Sequence, residues 1–139
     1  MIDWTKPVTK ITPNFTVKDC LWLPQWKRLH TPTEEEKSNL VRLCDLMEKV
    51  RVILGNKPII VHCMIRPQEY NTLIGGSKKS AHLKGLACDF SIKGENCDKL
   101  RDLLIPHLVR LNCRMENLPG STWVHVDLAP VMTSRFFKP

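Results

Sequence analysis

LACDFSIK, residues 86–93, places Leu86, Cys88, Phe90 and Ile92 on one parity and Ala87, Asp89 and Ser91 on the other. Successive side chains of a strand point to opposite faces, so this spacing predicts a β-strand with one apolar face. TWVHVDL, residues 122–128, repeats the pattern, with Val124, Val126 and Leu128 on one parity and Trp123, His125 and Asp127 on the other. If both strands lie in one sheet with their apolar faces against the same core, Asp89 and His125 share the outer face. His82 joins them, because Gly85 lets the chain turn sharply between the preceding loop and the strand.

The flanking segments supply the rest of a small α+β domain. Thr31 is expected as an N-cap with Pro32 at the first helical position and Glu34 to Glu36 in the first turn. Leu40, Leu43, Cys44, Met47, Val50 and Leu54 then recur at helical spacing until Gly55, which predicts a long amphipathic helix. PIIVHC, residues 58–63, is a continuous β-branched run suited to a buried strand. Pro67 opens a short helix over PQEYNTLI that ends at Gly75 and Gly76, and GGSKKSAH reads as a loop. ENCDKLRDLLIPHLVRLN predicts a second helix with Leu100, Leu103, Leu104 and Leu108 as its apolar face, kinked or ended by Pro106. Strands over 111–116 and 122–128 follow, joined by the turn NLPGS. Residues 1–30 show no sustained periodicity and predict an irregular wrapping segment with at most one short helix. The order implies a single domain over 1–139, with helices packed on one face of a small, mainly antiparallel sheet and a site on the other.

The totals narrow the function. The 139 residues suit one domain. Lysine and arginine number 21 against 14 acidic residues, a formal net charge of +7, which favours an anionic partner such as nucleic acid, a membrane surface or bacterial wall polymer and by itself chooses none of them. Aromatic residues are few and the basic ones are spread along the chain, so the groove of stacking rings used by single-strand nucleic-acid binders is not expected. MIDWTKPVTK has no apolar run of signal-peptide length, and no segment approaches a membrane span. The expectation is a protein made in the cytoplasm, with no membrane partner. The six cysteines form no CxxC pair and predict reduced core thiols, so any metal must be held by other groups.

His82, Asp89 and His125 offer two imidazoles and a carboxylate, a ligand set of catalytic zinc sites, where a fourth position stays open. Zinc there lowers the pKa of water to about 7 and polarises a carbonyl oxygen, the two needs of amide hydrolysis. The alternative is that His82 caps a loop, Asp89 pairs with Lys78, Lys79 or Lys84, and His125 is a hydrogen-bonded core histidine. Spacing alone leaves both open. His30 and His107 are expected to be structural or solvated, and His62 fits either use.

SAHLKGLACDF followed by WVHVDL resembles the M15 zinc peptidases of the D-alanyl-D-alanine carboxypeptidase and phage endolysin type, whose pattern is S-x-H-x-x-G-x-A-x-D and then W-x-H. Upstream, CMIRPQEYNTLIGGSKKSAH is similar to the family's S-G-Y-R-S-x-x-x-N segment, and the likeness spans residues 58–128. The resemblance implies a hedgehog/DD-peptidase-like fold and one zinc ion per chain on His82, Asp89 and His125. It also implies that Arg66 binds substrate. Ser80, beside the site, could orient a ligand or substrate, and Trp123 could wall the substrate cleft. Thr122 stands where several members carry an acidic residue three positions before the last histidine. In the W-x-H branch the general base lies on the preceding strand, where Glu116 matches it; Asp127 is the competitor, or else the partner that fixes an imidazole. The implied activity is hydrolysis of bacterial peptidoglycan stem peptides, as a D-Ala-D-Ala carboxypeptidase or an L-Ala-D-Glu-type endopeptidase. It would be exerted on the cell wall by a monomer of phage or bacterial origin. The rival is a non-catalytic zinc-binding or structural module on the same fold, as in the hedgehog signalling domain.

Overall fold

Two threonines start the two helices of the N-terminal part in this computed structural model, which describes residues 1–139. β1 (Lys10–Thr12) and β2 (Phe15–Thr16) form an antiparallel pair that runs into α1 (Val17–Leu21). A second antiparallel pair follows, β3 (Trp22–Leu23) and β4 (Arg28–Leu29), before α2 (Glu34–Ile53). Thr16 and Thr33 each accept from the N–H three residues on, while Asp19 and Glu36 accept in return from the threonine N–H groups. Such capping boxes satisfy donors that a helix start leaves free, and each cap is worth about 1 kcal/mol.

Residues 1–30 are therefore more regular than their sequence predicted. Strands of two or three residues are too short to leave a periodicity. The cap of α2 is Thr33 rather than the expected Thr31. Glu36 accepts from Thr33 N–H and also meets His30 Nε2 at 3.0 Å, whereas Glu34 is paired with Lys37. Along α2, Leu40, Leu43, Cys44, Met47 and Val50 are fully buried, the stripe the helical spacing predicted.

The main sheet is built from β5 (Ile60–Cys63), β6 (Ala87–Ser91), β7 (Arg114–Glu116), β8 (Val124–Asp127) and β9 (Phe136–Phe137). Its order is β5-β6-β8-β7-β9, antiparallel except for the last pair, β7 with β9, which is parallel. Between β5 and β6 lie α3 (Gln68–Leu73) and a 3-10 turn at Ala81–Lys84, which begins in the last two residues of the expected loop and runs past its end. The second predicted helix is split into α4 (Cys97–Leu104), a 3-10 turn at Ile105–His107 and α5 (Leu108–Leu111). Pro106, which has no N–H and crowds the preceding turn, sits at that break. Because α5 runs to Leu111 and Asn112 turns left-handed, β7 begins at Arg114 and not at 111 as expected. β6 ends at Ser91, and β9 was not predicted at all.

The chain is thus α+β. α2 and α4 contribute Leu40, Leu43, Met47, Val50, Leu100 and Leu104 to one core with Cys88, Phe90, Met115, Val124 and Val126 of the sheet. All six cysteines are free thiols, five of them buried, as their apolar surroundings predicted. No helix is long and apolar enough to cross a membrane.

Candidate metal centre

The register of β6 against β8 sets Asp89 directly opposite His125, with Cys88 opposite Val126 and Phe90 opposite Val124 on the core side. Parity thus does what the sequence predicted, sending the valines inward and Asp89 and His125 to the far face. His82 arrives from the 3-10 turn. Ser80 caps that turn, its hydroxyl accepting from His82 N–H at 3.2 Å, and Gly85 closes it in the left-handed region at φ 72°. The His82 carbonyl accepts from Arg66 N–H at 2.9 Å and from Gly85 N–H at 3.2 Å. A side chain at residue 85 would pay for the positive φ and meet Leu40 at 3.1 Å.

One ligand atom from each of His82, Asp89 and His125 falls within 4.8 Å of the other two. His82 Nδ1 lies 2.6 Å from the Met64 carbonyl oxygen, which can only accept, so Nδ1 carries a proton and Nε2 of the neutral ring bears the lone pair. That Nε2 is buried and makes no hydrogen bond, although Asp89 Oδ2 stands 3.2 Å away at an unfavourable angle. A buried, partnerless nitrogen aimed at a carboxylate and a second imidazole fits a metal ion, since zinc takes nitrogen and carboxylate oxygen together.

His125 is held from both sides. Its Nε2 lies 2.8 Å from Asp127 Oδ2, and its Nδ1 lies 2.9 Å from Asp89 Oδ1 and 3.1 Å from Glu116 Oε1. With the Nε2 proton donated to Asp127, Nδ1 is the nitrogen free to face a metal. Asp127 is fully buried, and its two oxygens also accept from Arg114 Nε at 2.8 Å and Nη2 at 2.9 Å and from Ala129 N–H at 3.1 Å. This carboxylate–imidazole arrangement fixes a ring's tautomer and orientation.

The electrostatics follow from that packing. Burial works against the charged form of His82 and His125, but Asp89 beside His82, and Asp127 and Asp89 beside His125, outweigh it and raise each to about 9. Asp89 is pulled well below the usual carboxylate range: burial opposes this, and the hydrogen bond of His125 together with the nearby charge of His82 prevails. Asp127 is lowered likewise, against its burial, by His125 and Arg114. Glu116 goes the other way. Its burial, with Asp89 adding to it, raises its carboxyl despite the nearby His125.

All eight residues singled out from the sequence, Arg66, Ser80, His82, Asp89, Glu116, Trp123, His125 and Asp127, line one cleft of about 350 Å³. Arg66 Nη2 donates to Ser80 Oγ at 3.2 Å, and its Nε is buried without a partner. Trp123 stands partly exposed just before β8, its carbonyl anchored by Arg101 Nη1 at 2.8 Å. Lys78, Lys79 and Lys84 make no ion pair with Asp89, whose partners are the two imidazoles.

Several lining residues escaped the sequence reading. Arg114 shares the parity of Glu116 across Met115, a signal the CRMEN stretch already contained. Asn71, buried behind the cleft wall, donates from Nδ2 to the Ser77 carbonyl at 2.9 Å and holds the loop beside Arg66. Gly76 packs so closely there that a Cβ would lie 2.0 Å from Asn71 Oδ1. Lys79, one of the lysines expected beside Asp89, lines the cleft without pairing with it, and Phe137 lines it with no local pattern to mark it.

Beyond the geometry, a family model described as Peptidase M15 matches residues 14–127, more than four-fifths of the chain. No curated protein matches the chain.

Proposed function

The chain belongs to the M15 peptidase family, and from that premise we propose that it is a zinc-dependent peptidase cleaving the stem peptides of bacterial peptidoglycan. The fold we assign is of the hedgehog/DD-peptidase type, as a single domain that works as a monomer on the cell wall. The observation that carries the reading is the convergence of one ligand atom each from His82, Asp89 and His125 within 4.8 Å, with His82 Nε2 buried and making no hydrogen bond.

His82 Nε2, Asp89 and His125 Nδ1 would hold the zinc ion. When bound, zinc supplies a Lewis acid for the scissile carbonyl and lowers the pKa of water. The residues of the chain supply the remainder. Glu116, half-buried and open to the cleft, is assigned the general base that takes a proton from water and passes it to the leaving amine. A carboxylate raised by burial is closer to the working pH and suits both transfers. Asp127, enclosed by His125, Arg114 and Ala129 N–H, is assigned the orientation of His125 and not proton transfer. Arg66 is held by Ser80 with donor capacity to spare, and it would receive a substrate carboxylate or carbonyl. Trp123 would wall the same cleft. The free terminal carboxylate of a D-Ala-D-Ala end fits Arg66 with Lys79 close by, and an internal L-Ala-D-Glu bond would offer the D-Glu carboxylate instead.

The non-catalytic alternative drew on Thr122 in place of an acidic residue. Glu116, delivered by β7, brings a carboxylate to His125 from the other strand of the hairpin and supports turnover. The test pairs zinc content with hydrolysis of wall peptides of both bond types, in the parent and in Glu116→Gln. The expected result is about one zinc in each protein and a rate that falls by about 10²–10⁴-fold in the variant. A parent that binds zinc and hydrolyses neither peptide would refute the enzymatic reading.

A further inference from the structure

β9 lies beyond residue 127, where the family match ends, so that match assigns it no role. The Arg135 carbonyl accepts from Met115 N–H at 2.7 Å and the Phe137 carbonyl from Asn117 N–H at 2.6 Å. Arg135 also donates to the Cys113 carbonyl at 3.2 Å and to Asn112 Oδ1 at 3.1 Å. These bonds fix the register along β7, with Met115 opposite Phe136 and Glu116 opposite Phe137. Alternation then sends Phe136 against the core and Phe137 into the cleft.

There the Phe137 ring centroid lies 4.0 Å from Arg114 Cζ, and the ring meets that of His125 edge-on, with centroids 6.3 Å apart and planes at 81°. Arg114 is the bidentate partner of Asp127, and Asp127 receives His125 Nε2–H. A guanidinium open to water exchanges a carboxylate for solvent at little cost. An aromatic face laid over it excludes that water and attracts the cation.

We infer that Phe137 is a positioning residue of the metal centre. Its ring holds Arg114 on Asp127, and through Asp127 it keeps His125 Nδ1 turned toward His82 and Asp89. The inference rests on the zinc reading above and adds to it a contribution from a strand outside the family-matched stretch.

The test measures zinc affinity of the full chain by competition with a chromogenic chelator, alongside melting of the metal-free protein. The proteins are the parent, Phe137→Ala, Phe137→Tyr and Met132→Ala, the last an exposed residue of the same segment. Phe137→Ala is expected to bind zinc about fivefold more weakly, the worth of a partly desolvated cation–π contact. Phe137→Tyr, which keeps the aromatic face, should stay within about twofold of the parent, as should Met132→Ala. If Phe137→Ala does not fold, Phe137→Leu carries the test: it keeps apolar volume without a π face, and the same fivefold loss is expected. Parent-like affinity in the variant without the ring overturns the inference and leaves the zinc reading standing. A loss that tyrosine fails to restore also overturns it, and a parent that binds no zinc overturns both.

Discussion

Zinc binding by this protein should displace two protons, and its affinity should therefore fall steeply as the pH is lowered. In the metal-free state His82 and His125 hold their protons to about 9, while Asp89 is already ionised. Ligation needs the lone pairs of His82 Nε2 and His125 Nδ1, so each imidazolium must lose one proton. One proton per group is worth about 1.4 kcal/mol per pH unit, which gives about 100-fold in affinity per unit for two groups below pH 9. The same groups govern the metal-free protein with the opposite sign. Their folded pKa values exceed the unfolded value near 6.5, so their stabilisation is complete below about pH 6.5 and is lost as the pH rises through about 9. Chelator competition at several pH values between 6 and 8.5, corrected for protonation of the chelator, measures the slope. Calorimetry in buffers of different ionisation enthalpy counts the protons directly. A slope near tenfold per unit would mean that only one imidazole is charged before binding, and a flat profile would refute the proton-filled network altogether.

Two substitutions probe the supports of the site separately. Arg114→Met removes one of the two cations that hold the buried Asp127, leaving His125 alone, and should cost about 1.5–3 kcal/mol, the worth of hydrogen bonds to a charged group, in urea unfolding of the metal-free protein. The same change should weaken zinc by about 10–100-fold in chelator competition; stability equal to the parent would show that Asp127 does not depend on the pair. Gly76→Ala forces a Cβ to within 2.0 Å of Asn71 Oδ1 and 3.1 Å of Arg66 Nη1. Asn71 and the loop it holds must shift, and with them the setting of Arg66, so KM for a wall peptide should rise by up to about tenfold, the worth of a charged hydrogen bond, while zinc affinity holds. An unchanged KM would show that the setting of Arg66 does not depend on the close packing at Gly76.

How much of this was legible in the sequence depended on the range of the interaction concerned. Parity along a single strand is local, and by itself it assigns Asp89 and His125 to one face and Phe90, Val124 and Val126 to the other. The helical stripe of α2 is equally local. What the sequence withheld was pairing between distant segments. Arg114 shares its face with Glu116 by parity, but its partner appears only when the β7–β8 register sets it opposite Asp127. RFFK near the end of the chain carries too few residues for a periodicity, and only its parallel pairing with β7 makes it a strand. His82 Nε2 counts as partnerless only once the Met64 carbonyl has claimed Nδ1.

The same alternation nevertheless explains why a core and a polar centre can be built back to back on a sheet this narrow. Met115 and Phe136 face the helices while Arg114, Glu116 and Phe137 face the cleft; Cys88 and Phe90 face the helices while Asp89 faces the cleft. Every strand that contributes a charged group to the centre thus contributes the neighbouring apolar residues to the core. The buried charges are held in place by hydrophobic packing one residue away, so they need not be stabilising in themselves. A buried ion pair such as Arg114–Asp127 is weak support for a fold. Here the packing of Met115 and Val126, which are paired in register beside it, sets the geometry that the ion pair then passes on to His125.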